Sequence, residues 1–181
     1  MGKVVVIYSS KYGYTKKYAQ WIAEELKGDI FELDNAGQKD LSAYDTIILG
    51  SGLYAGRIRG IDFLVKNYEK IKTRKLVIFT CGLADYTKFE NINNIYKRLV
   101  KVIPAYIMEN VKIFYLQGGI NYGKLSTKHK IMMGMLKKMI TRKGSENLSE
   151  ENREFLATYG QTLDFSDKSK IRDIIDYCVS G

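Results

Sequence analysis

VVVIYSSKYGYT, residues 4–15, is the part of this chain that says most about its fold. Its first five residues are apolar and mostly β-branched, which is typical of a strand buried on both faces of a parallel sheet. After a polar turn, Tyr18, Ile22 and Leu26 recur at four-residue spacing, which predicts a helix that ends near Gly28. The stretch therefore predicts a βα unit whose turn lies at the carboxyl end of a buried strand.

The same alternation of strand and helix continues to about residue 118. Further strands are predicted at 29–33, 45–50, 76–80 and 111–116, helices at 61–71 and 92–99, and a polar loop at 34–44. Such alternation indicates βαβ units with right-handed crossovers. We therefore expect a three-layer α/β/α fold in which the central layer is a five-stranded parallel sheet of order 2-1-3-4-5. In such sheets ligands bind beyond the carboxyl ends of the strands, here at strands one and three.

Composition favours a soluble, globular protein. The 181 residues, 45% of them hydrophobic and 27% charged, suit one domain spanning 1–181, and no composition break marks a second one. No signal peptide and no apolar run of about 20 residues is visible. Cys81 and Cys178 lack CxxC spacing and read as reduced thiols, so we expect a cytoplasmic protein.

The formal net charge is +9, which favours an anionic partner such as phosphate, a membrane surface, an acidic protein or nucleic acid. No nucleic-acid reading motif is recognisable, so we expect no nucleic-acid partner. A phosphoacceptor receiver domain would need acidic residues after strands one and three to hold magnesium, but those places hold Ser9, Ser10, Gly50 and Ser51. With one histidine, His129, and no clustered ligands, we expect no metal site.

The first candidate binding loop follows strand one. Backbone N–H groups and the helix dipole converge there, which suits a phosphate, although an ordinary βα turn with a serine N-cap explains the pattern as well. Neither the GxxxxGK[ST] nor the GxGxxG spacing is present. The candidate residues are Ser9, Ser10, Lys11, Tyr12, Gly13, Tyr14 and Thr15.

Ser10-x-x-Gly13-x-Thr15 after a buried strand resembles the phosphate loop of flavodoxins, with Tyr12 in place of the usual threonine. The loops after strands three and four are similar to the two other flavin loops of that family. Their candidate residues are Ser51, Gly52, Leu53, Tyr54, Ala55, Gly56, Cys81, Gly82, Leu83, Asp85 and Tyr86. The resemblance implies a flavin mononucleotide (FMN) cofactor on which Tyr54 or Tyr86 stacks. Because the chain contains 14 tyrosines, a tyrosine at either position is also explained by chance, as a surface aromatic without a role in binding.

A basic helical insertion, about residues 119–145, follows strand five. Residues 124–143 contain seven Lys or Arg, one His and no acid. Apolar residues recur in it at helical spacing: Ile131, Met132, Met135, Leu136, Met139 and Ile140. The segment is either an amphipathic helix packed on the domain or a surface for an anionic membrane or an apolar substrate. Beyond it, a helix is predicted from Ser149 to Gly160 and a last helix from Ser166.

The composition of this insertion, and the S-x-x-G-x-T loop, resemble a flavodoxin subgroup that includes the menaquinone-dependent protoporphyrinogen oxidase of the flavodoxin type. That resemblance implies an FMN oxidoreductase that oxidises protoporphyrinogen IX with a quinone acceptor. The basic segment 124–143 adds the expectation of a peripheral contact of this cytoplasmic protein with the inner face of the membrane. Lys128, Lys130 and Arg142 are candidates for binding substrate carboxylates, and no residue is assigned as catalytic acid or base.

Two alternatives stay open at this point. One is a flavodoxin-type electron-transfer protein with a redox partner and no small-molecule substrate of its own. Carriers of this family are usually acidic, whereas this chain is basic. The other is an interaction protein that keeps the fold without the flavin. The sequence is compatible with a homo-oligomer and does not fix the oligomeric state, nor whether Cys81 has a role near the flavin.

Overall fold

The computed structural model describes residues 2–54, 57–142, 148 and 150–180. The chain forms two compact units. The first unit comprises residues 1–118 and 165–181, and the second unit comprises residues 119–164.

The elements follow one another along the chain as alternating strands and helices. The strands are β1 (Val4–Ser9), β2 (Asp29–Glu32), β3 (Thr46–Tyr54), β4 (Arg57–Ile58), β5 (Lys75–Gly82), β6 (Val111–Gln117), β7 (Gly119–Asn121) and β8 (Thr162–Asp164). The α-helices are α1 (Tyr14–Leu26), α2 (Leu33–Ala36), α3 (Ile61–Ile71), α4 (Phe89–Val102), α5 (Ala105–Met108), α6 (Thr127–Thr141), α7 (Glu150–Thr158) and α8 (Arg172–Val179). Short 3₁₀ helices span Leu41–Ala43, Tyr122–Lys124 and Lys168–Ile171.

The first unit is built on a parallel sheet of order β2-β1-β3-β5-β6, and β4 adds a short antiparallel pairing to the end of β3. The register across the centre places Val6 beside Ile48 and Ile48 beside Val77. Since β5 and β6 are the predicted strands four and five, the order 2-1-3-4-5 is confirmed.

Two hydrophobic clusters, one on each face of this sheet, complete three layers. Val5 and Ile7 of β1 pack in the cluster that contains the buried side chains of α3 and α4. Val4, Val6 and Tyr8 pack in the other cluster, with the buried side chains of α1 and α8. Because alternate residues of a strand point to opposite faces, the continuous apolar run of β1 serves both clusters, and the predicted α/β/α layering is confirmed.

Two local predictions are corrected by the structure. The segment 34–44, predicted as a loop, contains most of α2 and a 3₁₀ helix in which Leu41 is buried and the Asp40 carboxylate accepts a hydrogen bond from the Ser42 N–H. Strand three does not end at Gly50 but continues to Tyr54. The continuation is held by neighbours distant in sequence, since Ser51 pairs with Ser9 and Gly52 pairs with Cys81.

The second unit contains the antiparallel pair β7–β8, with Ile120 beside Leu163, and helices α6 and α7. Tyr159 is central to it: its ring centroid lies 4.9 Å from that of Tyr122 and 5.8 Å from that of Phe155, and the Lys137 ammonium lies 4.4 Å from it. The unit includes the helix predicted from Ser149, a residue outside the described ones, and it extends beyond the predicted insertion boundary near 145. Whether it folds with the first unit as one domain stays a prediction.

Candidate functional site

Three candidate binding segments lie at the same edge of the sheet, because β1, β3 and β5 are parallel neighbours whose carboxyl ends lie side by side. Ser9 at the end of β1 lies beside Ser51, and Ser51 lies beside Thr80 of β5. One residue further, Gly52 lies beside Cys81. The described parts of the three segments that the sequence singled out therefore come together at the carboxyl edge of the sheet, as the strand order predicts.

The first loop, residues 9–15, runs from β1 into α1. Gly13 immediately precedes the helix with φ 97°, a left-handed conformation that glycine adopts without strain, and the space where a Cβ would lie is open. Ser10 Oγ accepts a hydrogen bond from the Gly13 N–H at 3.1 Å. Ser9 and Thr15 are buried, and the first turn of α1 contains no acidic residue. Because this first turn has no acidic residue, the positive end of the helix favours an anion.

The second candidate loop, predicted at residues 51–56, is joined to the first by Tyr54, the last residue of β3. Its hydroxyl accepts a hydrogen bond from the Lys11 N–H at 2.8 Å, and its ring meets the Tyr12 ring edge-on with centroids 5.6 Å apart. The ring lies directly over Gly52, because a Cβ at that position would be 2.5 Å from ring atom Cε2. Glycine at 52 is therefore what allows an aromatic side chain to lie across the strand end and reach the first loop.

Gly82 and Tyr86 join the third loop to the second. A Cβ on Gly82 would lie 2.5 Å from the Tyr86 hydroxyl and 3.0 Å from Leu53 Cδ1. Burial raises the pKa of the Tyr86 phenol above its usual range. Within the described residues, this hydroxyl and the Thr80 hydroxyl are buried without a hydrogen-bond partner. Such unpartnered groups are rare and costly in folded proteins, so both hydroxyls have unused hydrogen-bonding capacity near this edge of the sheet.

Asp85 shapes the third loop. Its carboxylate accepts hydrogen bonds from the Thr87 N–H at 2.9 Å and the Thr87 hydroxyl at 2.7 Å, and these bonds lower its pKa. Its carbonyl accepts a bond from Asn91 Nδ2 at 2.8 Å. Gln117, which the sequence analysis missed, donates from Nε2 to the Leu83 carbonyl at 3.1 Å. Its position as the last residue of β6, at the same sheet edge, is the signal that could have identified it.

Cys81 lies where the third loop approaches the start of α1. The thiol is buried, and a Cβ on Gly118 would lie 2.7 Å from its Sγ and 3.1 Å from Tyr14 Cβ. The three groups are therefore closely packed. Neither Cys81 nor Cys178, both within the described part of the chain, forms a disulfide.

Two predicted residues, Ala55 and Gly56, lie outside the described residues.

Ser51 is fully buried, and its hydroxyl donates a hydrogen bond to the Arg59 carbonyl at 2.7 Å, which ties the chain after β4 to β3. In this structure the Ser51 hydroxyl thus bonds its own chain and supports the second loop.

The arrangement fits a ligand that carries a phosphate and a planar aromatic ring. The first loop supplies a glycine turn, hydroxyl groups and a helix start free of acids. The glycines at 52 and 82 bring backbone close to two tyrosine side chains, Tyr54 and Tyr86. These are the chemical groups that FMN needs, namely donors for a phosphate and aromatic or backbone surfaces for a ring.

Comparison with known proteins agrees with this fold. The chain matches the family described as flavodoxin domain over residues 5–149. A flavodoxin from Maridesulfovibrio salexigens is 25% identical over 126 residues, covering 62% of this chain and 86% of that protein. An uncharacterised protein of Methanocaldococcus jannaschii is 38% identical over 82 residues, covering 44% of this chain and 55% of that protein.

Among solved structures, a flavoprotein in complex with FMN from Lactobacillus acidophilus shares 17% identity, with 65% of this chain and 93% of that chain covered and a TM-score of 0.45. The family match carries the assignment, since it covers well over half of the sequence and includes all three loops. This chain therefore belongs to the flavodoxin family.

Proposed function

We propose that this chain binds FMN where β1, β3 and β5 end and transfers electrons through it as a flavodoxin-like oxidoreductase. The observation that carries the proposal is the convergence of the three loops of a flavodoxin family member, joined by the bond between Lys11 and Tyr54 and by the packing of Leu53 and Tyr86 on Gly82. The redox chemistry belongs to the flavin, which accepts and releases electrons.

The protein side of this function is binding and orientation. Ser10, Gly13 and Thr15 belong to the loop proposed to hold the phosphate, where α1 starts without an acidic residue. Tyr54 and Tyr86 are the aromatic groups proposed to contact the ring. The hydrogen bonds of Asp85 keep the third loop in a fixed conformation, so less ordering is required when a ligand binds.

The proposed substrate is protoporphyrinogen IX, with a quinone as acceptor. Support comes from α6, whose side chains Ile131, Met132, Met135 and Met139 are exposed although they are apolar. We refer to these four residues as the α6 apolar face. The candidates for binding substrate carboxylates are exposed as well: Lys128 and Lys130 on this helix and Arg142 directly after it. An electron-transfer protein without its own substrate is the second candidate, since the first unit alone contains the three loops.

The α6 apolar face also supports a peripheral contact with an anionic membrane, and a cytoplasmic location beside the inner membrane face goes with it. Basic residues throughout 124–143 would meet lipid phosphates, while the exposed methionines would enter the headgroup region. Among the described helices, none has the length and apolar character that crossing a bilayer requires.

The deciding experiment is a visible spectrum of the purified full chain titrated with FMN, followed by addition of protoporphyrinogen IX and a menaquinone analogue. We expect flavin absorbance in the bound fraction and a rise in porphyrin fluorescence that requires quinone. Flavin binding without porphyrin formation would favour the electron-transfer candidate. A protein that binds no flavin under any condition would overturn the proposal.

A further inference from the structure

Tyr54 occupies a donor of the first loop with its own hydroxyl. The Lys11 N–H, a backbone donor of that loop, donates to Tyr54 Oη at 2.8 Å. The ring fits in this position because Gly52 beneath it has no Cβ, and it makes an edge-on contact with Tyr12. A residue of the second loop thus takes the place that an anion oxygen would take at this N–H.

From this contact we infer that Tyr54 is a specificity-determining residue, which makes the first loop select ligands that carry both a phosphate and an aromatic ring over free phosphate. The inference rests on the proposed function of this site. It concerns the competition between a phenol oxygen and a phosphate oxygen for the Lys11 N–H.

The competition follows from hydrogen-bond geometry. One N–H donates well to one acceptor, so a phosphate oxygen can bind the Lys11 N–H only after the Tyr54 hydroxyl has left it. A neutral hydrogen bond within a protein contributes modestly to stability, which corresponds to about a three- to tenfold reduction in apparent affinity for any ligand that must break it.

Free phosphate and a flavin phosphate differ in what they offer the displaced side chain. Inorganic phosphate removes the hydroxyl from its partner and gives the Tyr54 ring nothing to pack against. A ligand with a planar ring offers the same side chain a stacking surface, which offsets the lost contacts. Tyr54 therefore weakens the binding of small anions while leaving the affinity for a phosphorylated aromatic ligand largely intact.

The test is a calorimetric titration of inorganic phosphate into the flavin-free full chain, with circular dichroism to verify that each variant is folded. We expect Tyr54→Phe, which keeps the ring and removes the competing oxygen, to bind phosphate about three- to tenfold more tightly than the wild type. Tyr44→Phe is the matched control, because it also removes a tyrosine hydroxyl. That hydroxyl bonds Asp29, and Tyr44 precedes the amino end of β3, whereas the first loop lies at the carboxyl edge of the sheet. The phosphate affinity of Tyr44→Phe should equal that of the wild type.

A second variant displaces the ring and keeps its hydroxyl. A Cβ at position 52 would overlap the Tyr54 ring, so Gly52→Ala should push the side chain away and also tighten phosphate binding. In ¹H–¹⁵N spectra the Lys11 amide resonance should move in both variants and stay in place in the control.

Unchanged phosphate affinity in Tyr54→Phe, or no phosphate binding by either protein, would overturn the inference. These results are separable from failure of the proposed function. If FMN binds while the phosphate affinities of Tyr54→Phe and wild type are equal, only the role of Tyr54 is lost. If no form binds FMN, the proposed function itself is lost.

Discussion

Gly13 connects backbone conformation to the site most directly. Its φ of 97° is unfavourable for any residue with a Cβ, although the space around it is open, so Gly13→Ala introduces backbone strain without a steric clash. We expect a loss of about 1–2 kcal/mol in the free energy of unfolding, measured in urea, and weaker FMN binding.

Gly37→Ala is a suitable control for this substitution. Gly37 also has open space around it, but its φ of −62° is helical, so alanine there should be neutral or should stabilise the protein by up to about 1 kcal/mol. Equal destabilisation by the two substitutions would contradict the role assigned to the left-handed conformation at Gly13.

Tyr44 makes stability depend on alkaline pH. Burial, together with the Asp29 carboxylate that accepts its hydrogen bond at 2.7 Å, raises the pKa of Tyr44 from 10.0 to about 12. The folded state therefore holds this proton more tightly than the unfolded state. The contribution of Tyr44 to the free energy of unfolding is therefore complete below pH 10 and is lost as the pH rises from 10 towards 12.

Urea midpoints of the wild type and Tyr44→Phe between pH 8 and pH 11 test this. We expect the stability difference between the two proteins to be constant up to about pH 9.5 and to shrink above it, because phenylalanine does not titrate. Other tyrosines titrate in both proteins, so their effect cancels in the difference. A difference that stays constant through pH 11 would show that Tyr44 has an ordinary pKa.

At the scale of single elements, β1 could be predicted because its signal is local. Five apolar residues in a row need burial on both faces, whatever their partners are. The extension of β3 to Tyr54 could not be predicted, since Ser51 and Gly52 become strand only by pairing with Ser9 and Cys81. Tertiary pairing thus overrode a glycine- and serine-rich sequence that is typical of a loop.

Helix α6 shows a different limit of sequence analysis. Its periodicity predicted one apolar surface containing Leu136 and Ile140 as well as Ile131 and Met135. In the structure Ile140 is buried and Leu136 is half-buried, while Ile131 and Met135 are 59% and 68% exposed. Spacing identifies a broad apolar surface, but only the fold decides which part of it is covered. The position of the Tyr54 hydroxyl is likewise set by the fold.

Tyr18 links three elements of the first unit through one hydroxyl. Its side chain is fully buried, and its hydroxyl donates to the Gln117 carbonyl at 2.7 Å and accepts from the Asp167 N–H at 3.0 Å. Tyr18→Phe keeps the ring and leaves both partners without this bond. We expect a loss of about 1–3 kcal/mol and a fall in melting temperature of roughly 2–10 °C.

Differential scanning calorimetry measures the effect of Tyr18→Phe, and Tyr96→Phe provides the control. Tyr96 is exposed on α4, where loss of a hydroxyl should change stability by less than about 0.5 kcal/mol. If the two variants melt at the same temperature, the Tyr18 hydroxyl does not join these elements to a measurable degree.

For the whole molecule, net charge separates the candidate functions. A charge of +9 gives a long-range attraction to anionic surfaces, which salt screens. On the second unit this charge coincides with the α6 apolar face, since residues 124–143 hold no acid. Electrostatic attraction and apolar insertion together give stronger membrane binding than either gives alone.

Sedimentation with phosphatidylglycerol vesicles tests this combination, and two variants with equal charge separate its two components. Met135→Glu places a carboxylate on the α6 apolar face, whereas Val179→Glu places one on α8, at a side chain that is also more than half exposed. We expect Met135→Glu to weaken vesicle binding about tenfold or more, because an inserted methionine contributes roughly 1.5–3 kcal/mol. Val179→Glu should bind nearly as the wild type does, and 0.5 M salt should release every form. Equal vesicle binding by both variants would mean that α6 attracts lipid by charge alone. If the wild type does not bind vesicles, the function as an electron-transfer protein without its own substrate is favoured.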